Sequence, residues 1–326
     1  MSPTSTNTSP LPPDEKPYAL RIAMLGGVPT PGVDIPICAI FILLFTIAAI
    51  IHTILFVLDR RRAHRDLFSL LFQSFCIARI AALGTRIAWA CHPSNLSITI
   101  VANILTAAGF IIIIIANLFF ARRVVRDYTL FGDHRKILRR TCRFLVFCVI
   151  ACLAMLVSAA AESFFKHSLH SLGEMKKIIL FAATLLTVIA FLPLPLVGVL
   201  VYLPAFRDSD GIARDGPRFE ARMQLLVATT LLVTLEAGFR CGVTYDARDV
   251  NQPGWFHHKA CLYCLVFLLD TVLVFLYALA RIDPRVVFQA ARKESLGSEV
   301  GGNMEQRKRK FIDRVNTEID VFGSGR

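Results

Sequence analysis

The sequence predicts an all-α fold, a polytopic bundle of seven transmembrane helices, and three observations carry this prediction. The chain has 326 residues, of which 55% are hydrophobic and only 18% are charged, and its mean hydropathy is +0.58. Seven apolar stretches are each long enough to cross a bilayer as a helix, which takes about 20 residues. Their runs of consecutive apolar residues lack the period-two alternation of membrane β-barrel strands.

The predicted spans follow one another along the chain with short polar connections. They are residues 36–58, 67–90, 96–121, 144–165, 178–203, 223–243 and 260–280. Residues 1–35 form a polar, proline-rich tail with no cleavable signal peptide. Residues 36–280 form the transmembrane domain. Residues 281–326 form a basic tail that begins with a short amphipathic helix on the membrane surface and continues as a disordered segment containing RKRK.

The distribution of basic residues predicts the orientation of the bundle. The side with the loops 59–66, 122–143 and 204–222 and the C-terminal tail carries 26 Lys and Arg residues, whereas the other side carries 7. By the positive-inside rule the C-terminus is cytoplasmic and the N-terminus is outside. The two glycosylation sequons, at Asn7 and Asn95, both fall on the outer side, so they are candidate glycosylation sites and predict a plasma membrane or another membrane of the secretory pathway.

The net charge of +12 follows from this topology. A soluble nucleic-acid-binding protein would be basic without being so apolar, and that class is excluded. The basic inner loops and tail predict contact with anionic membrane lipids and offer a surface for a cytoplasmic signalling partner.

Five charged residues lie well within the predicted spans: Arg79, Arg86, Glu236, Arg240 and Asp270. A charge at the centre of a bilayer costs about 2.5–3.5 kcal/mol on insertion scales, so these side chains are expected to face one another inside the bundle. Counting depth from the span ends places Arg79 and Asp270 near the middle of the membrane. The other three fall in the outer half.

These depths predict two groups of charges. Arg79 is expected to pair with Asp270, and Arg86, Glu236 and Arg240 are expected to form an outer cluster around a central cavity. Three arginines against two carboxylates leave one positive charge, which an anionic headgroup or a carboxylate ligand would neutralise. The alternative is that the pairs only hold the helices in register.

No pattern of catalytic or cofactor-binding residues is present, so the chain is not expected to be an enzyme or to hold a cofactor. The segment HHKACLYC places His257, His258, Cys261 and Cys264 at helical spacing. Zinc binding is one interpretation of this segment, but residues of a single short segment are a weak signal, and an interfacial position is favoured. No metal site is predicted.

Two features of single spans add detail. Pro193 and Pro195 should break the fifth span near its middle, because each lacks an N–H group and crowds the preceding turn. Asn103 and Asn117 lie on one face of the third span and are expected to hydrogen-bond to neighbouring helices.

Four segments together resemble a known group of proteins: GGVPTPGVDIPICAIFILLF, FCIARIAALGTRIAWACHPSN, FLPLPLV and FRCGVTYDARDVNQPGWFHHKACLYCLVFLLDTVLVFLYALARIDPR. They are similar to a fungal seven-transmembrane family of unknown function that is labelled family C-like G-protein-coupled receptor protein. The resemblance covers roughly residues 26–285. More distantly, the helix with Glu236 and Arg240, the turn from Trp255 to Tyr263 and Asp270 resemble the fungal lipid-translocating exporter family linked to aminocholesterol resistance.

The resemblance implies a seven-helix bundle with its N-terminus outside, in a fungal membrane. Two functions remain open. The first is a receptor-like protein that senses a small amphiphilic or anionic ligand through a polar cavity within the bundle. The second is a transporter or translocating exporter of a lipid or amphiphile.

Overall fold

The computed structural model describes residues 23–61, 67–128, 132–165, 169–202 and 217–280. Within these ranges seven helices are long and apolar enough to cross a membrane, as the sequence predicts. The chain is therefore an integral membrane protein with an all-α, seven-helix architecture. The predicted amphipathic helix and basic tail after residue 280 lie outside the described residues, as does Asn7.

The helices follow the chain in the order of the spans. They are α1 (Pro31–Arg61), α2 (Leu67–Cys91), α3 (Leu96–Tyr128), α4 (Gly132–Phe165), α5 (Leu169–Phe191), α6 (Pro193–Tyr202), α7 (Pro217–Tyr245) and α8 (Lys259–Leu262). Helix α8 runs into a π-helical segment, Tyr263–Leu268, and then into α-helix over residues 269–280. These last pieces form the last span, Lys259–Ala280. By its internal contacts the chain divides into Met1–Leu276 and Tyr277–Arg326, and of the second unit only residues 277–280 are described.

Helix α1 begins five residues earlier than the sequence predicted, at Pro31 rather than Pro36. Proline is favoured at the first helical position, where its missing N–H group would have no partner in any case. The carboxylate of Asp34 accepts a hydrogen bond from the backbone N–H of Thr30 at 2.8 Å and so caps the helix. The predicted boundary therefore left Asp34 outside the membrane domain, whereas it lies in the first turn of α1.

The fifth span is broken at its proline pair, as predicted. Helix α5 ends at Phe191, and α6 begins at Pro193. Leu192 between them is a turn residue whose N–H still bonds to the carbonyl of Val188 at 3.1 Å. The two helices thus form one interrupted span.

The outward faces of the helices are apolar, which is typical of lipid-facing surfaces. On α4 the side chains of Ile137, Phe144, Phe147 and Ile150 are all exposed. Four charged side chains point the other way and are fully buried, namely Asp34, Arg79, Glu236 and Asp270. The charges of Arg79, Glu236 and Asp270, which are far from the ends of their spans, therefore lie inside the bundle.

Candidate functional site

A group of four charged side chains, which we call the deep charge centre, lies between α2, α7 and the last span. It consists of Arg79, Glu236, Arg240 and Asp270. Nη2 of Arg79 lies 2.5 Å from Oδ2 of Asp270 and 3.5 Å from Oε1 of Glu236. The same Oε1 accepts a hydrogen bond from Nε of Arg240 at 2.9 Å. The predicted ion pair between Arg79 and Asp270 is present, and Glu236 links it to Arg240.

The guanidinium group of Arg79 is enclosed on all sides. The rings of Phe75 and Phe267 have their centroids 5.2 and 5.6 Å from its Cζ, distances at which a cation is attracted to an aromatic face. Its Nη1 donates to the backbone carbonyl of Thr106 on α3 at 2.9 Å. The planar fork of arginine reaches α3, α7 and the last span at once, which the single ammonium of a lysine could not do as well.

Gly109 on α3 makes room for this guanidinium group. A Cβ at position 109 would lie 2.9 Å from Cζ, Nε and Nη1 of Arg79, closer than real Cβ atoms approach other atoms. Because the guanidinium group of Arg79 is held by two carboxylates and a carbonyl, it can move away from a Cβ only by weakening those contacts. No pattern in the sequence points to this role of Gly109.

Replacing Gly109 with alanine is expected to lower the free energy of unfolding by about 1–3 kcal/mol, since overpacking displaces Arg79 from its partners. Gly84→Ala on α2 is the matched control, because a Cβ there has nothing within 4 Å. Alanine is the better helix former, so this control should be neutral or slightly stabilising. Thermal unfolding in detergent measures both, and equal stabilities of the two variants would contradict the account of Gly109.

The prediction of an outer cluster of Arg86, Glu236 and Arg240 is wrong for one of the three residues, Arg86. Arg86 makes no ion pair with Glu236; its partner is Asp34, whose Oδ1 accepts from Nη2 at 3.0 Å and from Nε at 3.1 Å. The physical reason is the early start of α1, which brings Asp34 to the same end of the bundle as Arg86, while Glu236 lies beside Arg79. Glu236 and Arg240 do pair, as their i, i+4 spacing predicted.

Asp34 is the centre of a second group, the aspartate cluster, formed with Arg86, Lys259 and Tyr263. Besides Arg86, its Oδ1 accepts from the Tyr263 hydroxyl at 2.6 Å. Its Oδ2 accepts from Nζ of Lys259 at 2.6 Å and from the N–H of Thr30. A carboxylate that is fully buried needs such a set of donors to offset its lost hydration. The cluster ties α1 to α2 and to the last span.

Residues 23–30 lie over this end of the bundle. Gly26 and Gly27 have φ values of 80° and 56°, in the left-handed region that favours glycine. The carbonyl of Gly26 accepts from Nη2 of Arg86 at 2.9 Å, and a Cβ on Gly26 would lie 2.5 Å from Cδ2 of Leu262. Both the backbone conformation and the close approach therefore require glycine at position 26.

The loop 246–258 completes the covering of this end. The carbonyl of Arg248 accepts from the N–H of Ala23 at 2.9 Å, and Nδ1 of His257 accepts from the N–H of Gly254 at 3.3 Å. Burial lowers the pKa of His257 below its usual value and so favours the neutral ring. We call residues 23–30 and 246–258 together the cap.

Beneath the cap lies a small cavity of about 80 Å³, which we call the arginine cavity. Its lining includes Leu25, Arg86, Trp89, Asn103, Thr106 and Leu262, together with Arg240. The volume is enough for several water molecules or a small polar group. It lies at the end of the bundle where α2 and α7 end and where α1, α3 and the last span begin.

The two arginines of this cavity are each held by a carboxylate through Nε. For Arg86 the carboxylate belongs to Asp34, and for Arg240 it belongs to Glu236. Nη2 of Arg240 is buried and has no hydrogen-bond partner in the part of the chain that the structure describes. The bonds of Arg86 use Nε and Nη2 and leave Nη1 without a partner among the same residues. Two oriented guanidinium groups thus retain unused N–H donors at one cavity.

Three of the asparagines noted in the sequence each have a hydrogen-bond partner in the structure. Asn117 donates to the hydroxyl of Thr230 on α7 at 3.2 Å, which confirms the predicted contact with a neighbouring helix. Asn103 instead donates to the carbonyl of Thr99 on its own helix at 2.8 Å, and to Sδ of Met24 at 2.8 Å. Asn95 is exposed before α3, where its side chain accepts a long hydrogen bond of 3.4 Å from the N–H of Ile98. Its glycosylation stays a prediction.

In the comparison with known proteins, a family model matches one part of the chain. Residues 218–287 match the model of a family described as a protein of unknown function, DUF3112. The match covers α7, the loop 246–258 of the cap and the last span, and therefore includes Glu236, Arg240 and Asp270. No curated protein and no solved structure matches the chain. Among the described residues, no group of three or more His, Cys, Asp or Glu side chains is placed to hold a metal ion.

Proposed function

We propose that this protein is a receptor-like membrane sensor that binds a small anionic amphiphile in the arginine cavity. The observation that carries the proposal is the pair of guanidinium groups of Arg86 and Arg240, both at one cavity and both with unused donors. Guanidinium N–H groups form charge-assisted hydrogen bonds to carboxylate and phosphate groups, and an anion in this cavity would accept one from each of the two arginines.

The charge balance of the deep charge centre and the aspartate cluster supports an anionic ligand. The deep charge centre and the aspartate cluster contain four cations, Arg79, Arg86, Arg240 and Lys259. They contain three carboxylates, those of Asp34, Glu236 and Asp270. The five charged residues predicted to lie within the spans, three arginines and two carboxylates, have an excess of one positive charge. Adding Asp34 and Lys259 to this count leaves the excess unchanged. A bound anion would neutralise this excess at a place where the side chains of Lys259 and Arg240 are only 22% and 17% exposed and so are only partly hydrated.

The contacts of the two arginines suggest how binding would be transmitted. Arg86 holds Asp34 on α1, and Arg240 shares Oε1 of Glu236 with Arg79, which in turn contacts Asp270 of the last span. An anion that draws either guanidinium group toward the cavity would weaken its bond to the carboxylate. The relative positions of α1, α2, α7 and the last span would then be free to shift, which is the kind of packed, two-state element that a sensor needs.

The orientation of the bundle is part of the proposal. By the positive-inside rule, the excess of Lys and Arg in the loops 59–66, 122–143 and 204–222 favours a cytoplasmic position for those loops and an outer position for the cap. A ligand would then enter from the outer leaflet, and the basic loops would meet a cytoplasmic partner. Protease added to intact cells should remove an N-terminal tag and spare a C-terminal one; the reverse pattern would refute this orientation.

The native tryptophans allow a direct binding experiment. The chain has two, Trp89 at the arginine cavity and Trp255, which is 78% exposed in the cap. The Trp255→Phe variant in lipid nanodiscs with a tryptophan-free scaffold therefore leaves Trp89 as a single fluorescent reporter. Titration with lysophosphatidic acid is expected to change its emission in a saturable manner, whereas lysophosphatidylcholine with the same acyl chain is expected to leave it unchanged. Equal responses to both lipids would refute an anion-selective site.

A second function, translocation of a lipid or amphiphile, is favoured by one feature. The shared oxygen of Glu236 connects the cavity residue Arg240 to the fully buried Arg79, so that charged groups continue from the cavity toward the interior. In proteoliposomes with labelled lysophosphatidic acid, a translocator would move the lipid between leaflets and would lose this activity in Arg79→Ala. A sensor would bind the lipid without translocating it.

A further inference from the structure

We propose that the anionic group recognised in the arginine cavity carries a hydrogen-bond donor beside it, as in a hydroxylated phosphate ester or a hydroxy acid. This inference rests on the proposed function and names the chemical class of its ligand. It follows from two neutral polar residues at the cavity, Asn103 and Thr106. The excess of positive charge explains an anionic ligand but does not explain why these two residues line its site.

The orientation of the Asn103 amide is determined by its neighbours. Its Nδ2 lies 2.8 Å from the carbonyl oxygen of Thr99, which can only accept a hydrogen bond. The nitrogen must therefore face Thr99, and the oxygen of the amide is the atom that remains. No donor in the described residues bonds to this oxygen, and the residue lines the cavity.

Thr106 offers the same kind of group. Its hydroxyl donates to the carbonyl of Ala102 at 2.8 Å, so its proton is already used and its oxygen can only accept. The cavity thus presents donors from Arg86 and Arg240 together with acceptors from Asn103 and Thr106. A bare anion would satisfy the arginines but would displace water from both acceptors without replacing its hydrogen bonds, which costs free energy. An anion with an adjacent hydroxyl or ammonium group satisfies both kinds of partner.

The size of the cavity limits the recognised group to a few heavy atoms. A volume of about 80 Å³ corresponds to a handful of water positions. A phosphate or carboxylate with one neighbouring hydroxyl is of this order, whereas a headgroup with a sugar or a nucleobase is much larger. This chemistry is shared by the headgroup of lysophosphatidic acid and by free glycerol 3-phosphate.

The test compares two lipids that differ in one hydroxyl group. Trp255→Phe protein in nanodiscs is titrated with lysophosphatidic acid and with its analogue lacking the glycerol hydroxyl, and Trp89 emission reports both. Protein with Asn103 intact is expected to give about threefold to tenfold tighter binding of the hydroxylated lipid, as for one net hydrogen bond. In Asn103→Leu, which removes one of the two acceptors at similar volume, the preference for the hydroxylated lipid is expected to be smaller than in the protein with Asn103 intact.

The outcomes separate this inference from the proposed function. Equal affinity of the Asn103 protein for the two lipids would overturn the donor-bearing class and leave the anion site standing. Saturable binding of neither lipid would overturn the proposed function itself. If Asn103→Leu does not fold, the difference in affinity between the two lipids on protein with Asn103 intact still tests whether the ligand carries a hydrogen-bond donor. If free glycerol 3-phosphate competes at a concentration similar to that of the lipid, the hydroxylated phosphate ligand is a soluble molecule. If it does not compete, the ligand is a lipid headgroup.

Discussion

The Asp270→Ala variant is expected to lose about 3–5 kcal/mol of its free energy of unfolding, because it takes from a buried arginine its nearest carboxylate. The carboxylate of Asp270 is fully buried and lies 2.5 Å from Nη2 of Arg79. Removing it leaves the guanidinium group of Arg79 inside the bundle with the carboxylate of Glu236, which lies 3.5 Å away and is shared with Arg240. Denaturant titration in mixed micelles measures the loss.

A double variant tests the physical reason. Arg79→Leu combined with Asp270→Leu removes both charges and leaves Glu236 paired with Arg240, so it is expected to be more stable than Asp270→Ala alone. Glu174→Ala is the control, since that carboxylate forms an exposed pair with Lys177 and should contribute less than about 1 kcal/mol. A double variant as unstable as the single one would show that the pair does not act through charge.

The second large effect is expected at Asp34. Asp34→Ala removes the acceptor of five hydrogen bonds, which come from Arg86 twice and from Tyr263, Lys259 and Thr30 once each. We expect a loss of about 3 kcal/mol, toward the lower limit for a broken buried pair, because Lys259 is 22% exposed and can regain water.

The effect at Asp34 should also be local to the cap. Cys38 is fully buried one turn further along α1, and its Sγ lies 3.3 Å from the Tyr263 hydroxyl. In a variant that retains only this cysteine, Asp34→Ala should increase the rate of thiol labelling at Cys38. Asp246→Ala, which breaks an exposed pair with Arg248, is the matched control and should leave the rate unchanged. Equal labelling in all three proteins would contradict a role of Asp34 in closing this end of the bundle.

The fold was predictable from the sequence because membrane burial imposes a simple rule. Each span must be long and apolar, and a charged residue that interrupts it must find a partner inside the bundle. Depth counted from the span ends was enough to pair Arg79 with Asp270 across 191 positions of sequence. The proline pair at 193 and 195 was likewise enough to predict the break between α5 and α6.

The error at Arg86 came from a helix boundary. A first span that starts at Pro36 places Asp34 in the polar tail, and Glu236 is then the nearest carboxylate left for Arg86. A signal is present in the sequence, since Pro31 suits a first helical position and Asp34 follows it within the first turn. A helix that starts at Pro31 supplies the missing carboxylate.

Other parts of the site could not be predicted from one sequence. Gly109 matters because the guanidinium group of Arg79 rests against it, and contact between residues 30 positions apart on different helices has no local pattern. The arginine cavity likewise depends on five segments that meet at one end of the bundle. Sequence patterning predicts that polar side chains face inward, whereas the space left between them depends on how the helices pack.

The most direct test of the anion site is the affinity of lysophosphatidic acid for Arg240→Gln, measured by Trp89 emission in the Trp255→Phe background. Arg240 lines the cavity, and its buried Nη2 has no hydrogen-bond partner among the described residues, so loss of this guanidinium group should weaken binding about tenfold to a hundredfold, as for a charge-assisted hydrogen bond. Arg143→Gln makes the same change of charge on an exposed position of α4 and should bind like the parent protein. If Arg240→Gln and Arg143→Gln both bound the lipid as tightly as the parent, the cavity would not be the site of anion recognition.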